Sequence, residues 1–301
     1  MIWKTAFVVG LLKKSIPFFL TVACILHSNE ICKANGESEK LHVFVSILPQ
    51  AYFVERVGGT HVEVEVLVGP GQSPATFEPA PQQMTKLSQT SVYFSIGVPF
   101  EKRLVEKIQA TLTNLRIIDT RQGIKLRTMQ DEHHGGSSDP HIWLNPNLVK
   151  IQATTICDEL CRLDPQNAAE YRKNLKAFKT DLHEVDTRIA QMLAPLRGRK
   201  FYVFHPSFGY FADAYGLTQV AVEMEGKEPG AKELASLINQ AIEDSVKVIF
   251  VQPQFSARST KAVAEAIGGV VVLIDPLAKD YLQNLEDIAE KIVRVLGKTQ
   301  E

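Results

Sequence analysis

The sequence predicts an α/β fold in which two βα lobes with mostly parallel sheets are joined by one long backbone helix, leaving a cleft between the lobes. Three observations predict it. Short β-rich runs alternate with helical segments over residues 41–118, and the same alternation returns over residues 200–274. Between the two lies a stretch from Gln166 to Leu193 that contains no Gly and no Pro. Alternation of this kind belongs to parallel α/β sheets. At about 1.5 Å per residue, an uninterrupted helix of that length runs roughly 40 Å, enough to reach across two lobes.

In the first lobe, Leu41–Leu48 is a β-rich run, and Val62, Val64, Val66 and Val68 recur at every second residue, the period of a half-exposed strand. Val92–Ile96 and Leu115–Ile118 are further short apolar runs. The segments between them, Ala51–Val57, Pro81–Gln89 and Phe100–Thr113, read as helices. After a loop of low apolar content, Asp131-Glu-His-His-Gly-Gly-Ser-Ser138, a helix is expected over Asn147–Leu163. Asp164 suits a cap and Pro165 the first turn of the next helix. Within that helix Leu175, Phe178, Leu182, Val185, Ile189 and Met192/Leu193 recur at steps of three or four, and Pro195 and Gly198 end it. In the second lobe Lys200–Phe204, Gln219–Val222, Val246–Val251 and Val270–Ile274 are nearly continuous apolar runs, as expected of parallel strands buried on both faces. The domain boundaries that follow are 1–34 for a signal peptide, 35–165 for the first lobe, 166–195 for the linking helix and 196–301 for the second lobe.

The signal peptide is expected from Lys13 and Lys14 followed by the apolar stretch Ile16–Leu26, too short to span a bilayer and suited to a signal-peptide core. Cys32-Lys-Ala34 supplies small residues at the −3 and −1 positions for cleavage after Ala34, which directs the chain to the periplasm. Lipid anchoring at Cys24, after Thr21-Val-Ala23, is the alternative. Cleavage after Ala34 leaves Cys157 and Cys161, four apart in a helical pattern and poorly placed for a disulfide. They are read as free, half-buried thiols. With 33 Lys plus Arg against 34 Asp plus Glu, the chain lacks the basic excess of a nucleic-acid binder.

In parallel α/β sheets, ligands bind beyond the carboxyl ends of the strands. His205 follows the run Lys200–Phe204, Asp275 follows Val270–Ile274, and His141 precedes the helix of Asn147–Leu163. Imidazole and carboxylate together suit zinc or manganese. Singly, each residue has a plainer reading. A His after a strand is more often a structural hydrogen-bonder, and an Asp-Pro after a strand more often a turn or a helix cap. The case rests on the three standing together at lobe edges.

The strings Asp139-Pro-His-Ile-Trp-Leu144, Phe204-His-Pro-Ser-Phe-Gly-Tyr210 and Ile274-Asp-Pro-Leu277, with Ser73-Pro-Ala-Thr-Phe-Glu-Pro79 and Glu225-Gly-Lys-Glu-Pro229, resemble the zinc/manganese-binding solute receptors of metal ABC transporters, the zinc-uptake, manganese-uptake and adhesin-lipoprotein group. The resemblance covers residues 41–298. It implies an extracytoplasmic receptor, not an enzyme, with a metal cleft between the lobes, and matches His141, His205 and Asp275 to three of the family's four ligands. It also implies zinc as the cargo, with manganese as the alternative, and delivery by a monomer to an ABC permease in the inner membrane. Where the family pattern carries a fourth ligand, a His, this sequence has Ala75. Water, Glu78, or His133 or His134 from the loop are the candidate substitutes. An open fourth position is also what a catalytic zinc site has. A zinc-water hydrolase with Glu78 or Glu101 as base, and a receptor for a metal chelate, therefore stand as alternatives.

Overall fold

The computed structural model describes residues 40–112, 114–129, 138–221, 246–255 and 257–297, together with 235, 238, 239 and 241–243. Strands β1 (Leu41–Val45), β2 (Val62–Val66), β3 (Val92–Ser95) and β4 (Arg116–Asp119) form one sheet in the order β2-β1-β3-β4. Strands β5 (Lys200–Val203), β6 (Thr218–Ala221), β7 (Val248–Val251) and β8 (Val270–Leu273) form a second in the order β6-β5-β7-β8. Every pairing between these strands is parallel. The second sheet thus repeats the topology of the first, and each reverses direction at one place, between β1 and β3 and between β5 and β7. Those two crevices are where such sheets take ligands.

Helices α1 (Leu48–Gly58), α2 (Pro81–Leu87) and α3 (Glu101–Thr111) connect the first sheet. Residues 41–48 are therefore not one strand. Pro49, unable to donate a ladder hydrogen bond, sits in the first turn of α1, and the chain leaves the sheet after Val45. Helix α4 (Pro146–Leu163) begins at Asn145, whose side chain accepts from the Asn147 N–H. Cys157 and Cys161 on α4 are free thiols with their sulfurs 3.9 Å apart. Cys157 is fully buried rather than half-buried, and burial, then Cys161, pushes its thiol up to about 12. The linking helix takes a 3-10 turn at Pro165–Asn167 and then runs as α5 over Ala168–Leu193. Further helices with described bounds are α6 (Gly209–Tyr215), α7 (Ala257–Ala266) and α8 (Tyr281–Leu296). None of the described helices is long and apolar enough to cross a membrane.

The two lobes do not have separate cores. Tyr171, Phe178, Leu182, Val185, Ile189 and Leu193 line one face of α5, each fully buried. That face belongs to a single apolar cluster reaching from Val43, Phe53 and Phe94 in the first lobe to Phe201, Phe250 and Leu277 in the second. Phe178 packs on Tyr52 and Phe53 of α1 with ring centroids 5.9 and 6.0 Å away. Tyr281, at the start of α8, packs edge-on to Phe53 at 4.8 Å. A smaller cluster, with Phe204, Ile249, Val251 and Ile267, fills the other face of the second sheet. The expectation that every strand of this sheet is buried on both faces fails at its two edge strands, β6 and β8. On β8, Val270 and Leu273 stand 57% and 59% exposed.

Candidate metal centre

The cleft between the sheets holds a cavity of about 850 Å³. His141 and His205 both line it, with ring centroids 5.3 Å apart. They arrive there by different routes.

His205 comes from the second sheet. It follows β5 at the β5/β7 crevice, where Gln252, the first residue after β7, fixes its backbone. The Gln252 side chain accepts from the His205 N–H at 3.1 Å and donates to the His205 carbonyl at 2.9 Å. It also donates to the Ser207 hydroxyl at 3.2 Å. The imidazole lies 5.6 Å from the Phe255 ring.

His141 sits in the segment before α4. Asp139, buried at 1% exposure, accepts from the His141 backbone N–H at 2.9 Å through Oδ1 and bonds the same oxygen to Nδ1 at 2.7 Å. A carboxylate only accepts, so Nδ1 carries the proton and Nε2 is left with its lone pair. Burial, the largest influence, lowers the His141 pKa against the opposing pull of Asp139. The ring is therefore neutral near pH 7, the form that binds a metal. Asp139 Oδ2 faces Arg127 Nη1 at 3.4 Å. That guanidinium fits only because residue 209 is glycine, since a Cβ there would lie 1.2 Å from Arg127 Nη1. Tyr210 donates to the Asp139 carbonyl and accepts from the Arg127 N–H. Trp143 donates to the Pro276 carbonyl at 2.7 Å, and Tyr281 donates to the Trp143 carbonyl at 2.7 Å, so the His141 segment is bolted to the second lobe.

Asp275 follows β8 and is held by hydrogen bonds. Its Oδ1 accepts from Gln254 Nε2 and from the Leu277 N–H, each at 2.9 Å, and its carbonyl accepts from Asn284. Two of the three expected ligands are thus in ring contact. Among the described residues, no three His, Cys, Asp or Glu side chains stand grouped to hold a metal.

The architecture has a counterpart in a family. Residues 43–295 match the family model described as "ZnuA: Zinc-uptake complex component A periplasmic". The chain belongs to this family. The high-affinity zinc uptake system protein ZnuA of Bacillus subtilis is 27% identical, over 91% of this chain and 88% of its own length. The manganese ABC transporter substrate-binding lipoprotein PsaA of Streptococcus anginosus is 26% identical, over 83% of this chain and 84% of its own. A crystal structure of ZnuA superposes with a TM-score of 0.78 at 46% identity, covering 85% of this chain and 99% of that one. ZnuA-family proteins are substrate-binding components of metal transporters and not enzymes, which removes the hydrolase alternative.

Against that family background, Ala75 lines the same cavity as His141 and His205. The proposed substitute Glu78 does not. It lines an adjoining hollow, which Ala75 also borders, beside Arg103 and Lys107, where Phe77 packs on Phe100 at 5.0 Å. His133 and His134 lie outside the described residues, although the bridge Thr128–Ser138 brings the two ends of their loop together. The Glu225–Pro229 string, the signal segment and Cys24 lie outside them too.

The roles of Asp139, Gln252 and Gln254 were not read from the sequence. The signal for Asp139 is its place two residues before His141, where an Asx side chain bonds the backbone N–H two residues on. Glu101 also lines the cavity. It accepts from Ser46, from the Ile96 N–H at 2.9 Å and from the Gly97 N–H. Burial raises its pKa, against those bonds and the charge of Arg121.

Proposed function

We propose that the chain captures one zinc ion in the cleft through His141, His205 and Asp275 and delivers it to an ABC permease of the inner membrane. The observation that carries this reading is the pair of imidazoles in contact in the cleft, one of them tied to a buried carboxylate that turns its Nε2 outward. Mixed nitrogen and oxygen donors are a zinc set. Asp275 Oδ1 accepts from two donors, an arrangement that orients a carboxylate as the partners of a metal ligand do. Two imidazoles rather than a mainly oxygen set favour zinc over manganese. The protein acts as a monomer in the periplasm, released by cleavage after Ala34, with the lobes divided at 165 and 196. Anchoring at Cys24 is the alternative for its attachment.

The test is metal content. Protein stripped with chelator and reloaded should hold about one zinc per chain. Changing His141 and His205 together to Ala should abolish that. Equal retention by the double variant overturns the reading.

A further inference from the structure

The cavity is far larger than an ion needs. Its volume is about 850 Å³, whereas a water molecule occupies roughly 30 Å³ and small organic ligands fill sites of about 300–1,000 Å³. The two rings and Ala75 account for one part of the wall. Elsewhere the lining is mostly apolar, with Val105, Ile117 and Met129, but it carries a polar group in Lys102, Gln109, Arg121 and Gln122.

Arg121 is fixed in place there. Its Nε donates to Asp119 Oδ1 at 2.9 Å and its Nη2 to Asp119 Oδ2 at 2.7 Å. Its guanidinium lies against Gly97, where a Cβ would come within 2.1 Å of Nη1 and where φ is +89°. Glycine at that turn leaves room for the cation beside the backbone. The carboxylates of the same wall are engaged: Asp119 by Arg121, and Glu101 by Ser46 and the backbone of Ile96 and Gly97. Glu106 is the further acidic residue of the lining. The wall thus offers a cation held rigidly, amide side chains, and open volume joined to a metal position that this chain's described side chains do not close.

We propose that the cleft takes zinc as a complex with a small chelator of the amino-acid type, one nitrogen and one or more carboxylates, rather than as a bare ion. This rests on the zinc-capture reading above. The metal is held by His141, His205 and Asp275 as in that reading, the chelator's nitrogen and one carboxylate oxygen raise its coordination to five beside Ala75, and a remaining carboxylate oxygen meets Arg121. A ligand of this class has the size that the cavity admits, donor atoms for the metal, and a carboxylate that Arg121 and Lys102 can meet.

The experiment is equilibrium dialysis of the full mature chain with radiolabelled L-histidine, with zinc alone, and with both. The expected result is about one label retained per chain in the presence of zinc and none in its absence. Arg121→Gln should lower label retention roughly tenfold or more, the loss of one charge-assisted contact, and leave binding of zinc alone unchanged. Ala75→Trp, which fills the wall beside the metal, should expel the label. Folding of both variants is checked by circular dichroism. Zinc held at one per chain with no label retained overturns the chelate proposal and leaves zinc capture standing. Label held equally without zinc also overturns it. Failure to hold zinc in either form overturns the capture reading itself.

Discussion

Replacing Asp139 by Asn is the sharpest test of how the site is built. Asp139 Oδ1 accepts two bonds from His141, at 2.9 and 2.7 Å, while Oδ2 faces Arg127 Nη1. An asparagine has one accepting oxygen and one donating NH2. Turned one way, the NH2 meets Arg127; turned the other, it meets the His141 N–H groups. Either orientation sets donor against donor at a residue only 1% exposed, and both lose the charge that fixes the Nδ1–H tautomer. Loss of such an outer partner typically costs 10- to 100-fold in metal affinity, or about 1.4–2.7 kcal/mol. Competition titration of zinc against a fluorescent chelator measures it. The loss should disappear in a His141→Ala background, because Asp139 acts through that ring. A variant that melts lower yet binds zinc within twofold of the parent would refute the reasoning, and so would an equal loss in both backgrounds.

Three further outcomes are expected. Ala75→His adds a nitrogen to the cavity wall and should tighten zinc by roughly an order of magnitude or more, since high-affinity zinc sites close with four protein ligands; unchanged affinity on titration means that another residue already closes the site. Burial pushes the Glu159 carboxyl up, but bonds from Arg162 and Arg116 outweigh it and hold the group below its ordinary value of about 4.5. Its contribution to stability is therefore full above that value and lost as pH falls through the lower folded one, so denaturant midpoints of the parent and Glu159→Gln should differ at pH 7 and converge below pH 4.5; a gap constant with pH contradicts this. Because one core runs through both lobes, solution scattering with and without zinc should give the same radius of gyration, and a large change would count against α5 as a rigid strut.

Much of this was legible because it depends on local pattern. Alternating valines, the Gly- and Pro-free stretch and the repeat of strand and helix gave both sheets and α5 to within a few residues. Strand order was not legible, so β8 was taken for an interior strand. Its apolar run has the composition of one, and only its place at the sheet edge exposes Val270 and Leu273. At the site, His141 and His205 could be nominated because both flank elements that end at a crevice. Their supports could not. Gln252 lies 47 residues from His205 and Gln254 lies 21 from Asp275, and contacts at such separations leave no periodic trace. Which hollow Glu78 lines was not legible either, because it depends on Phe77 meeting Phe100 at the start of α3.

The last helix has a consequence for the order in which this molecule can be made. Tyr281 packs against Phe53 of α1, Lys279 pairs with Glu55, and Leu285, Ile288 and Ile292 bury themselves in the core that α1 shares. The first lobe is therefore sealed by the final stretch of the chain. Until that stretch has been synthesised, Phe53 and Phe178 lack one of their walls, and the amino-terminal half has no finished interior to collapse around. A core that α8 must complete delays the folding of the first lobe until α8 has been added.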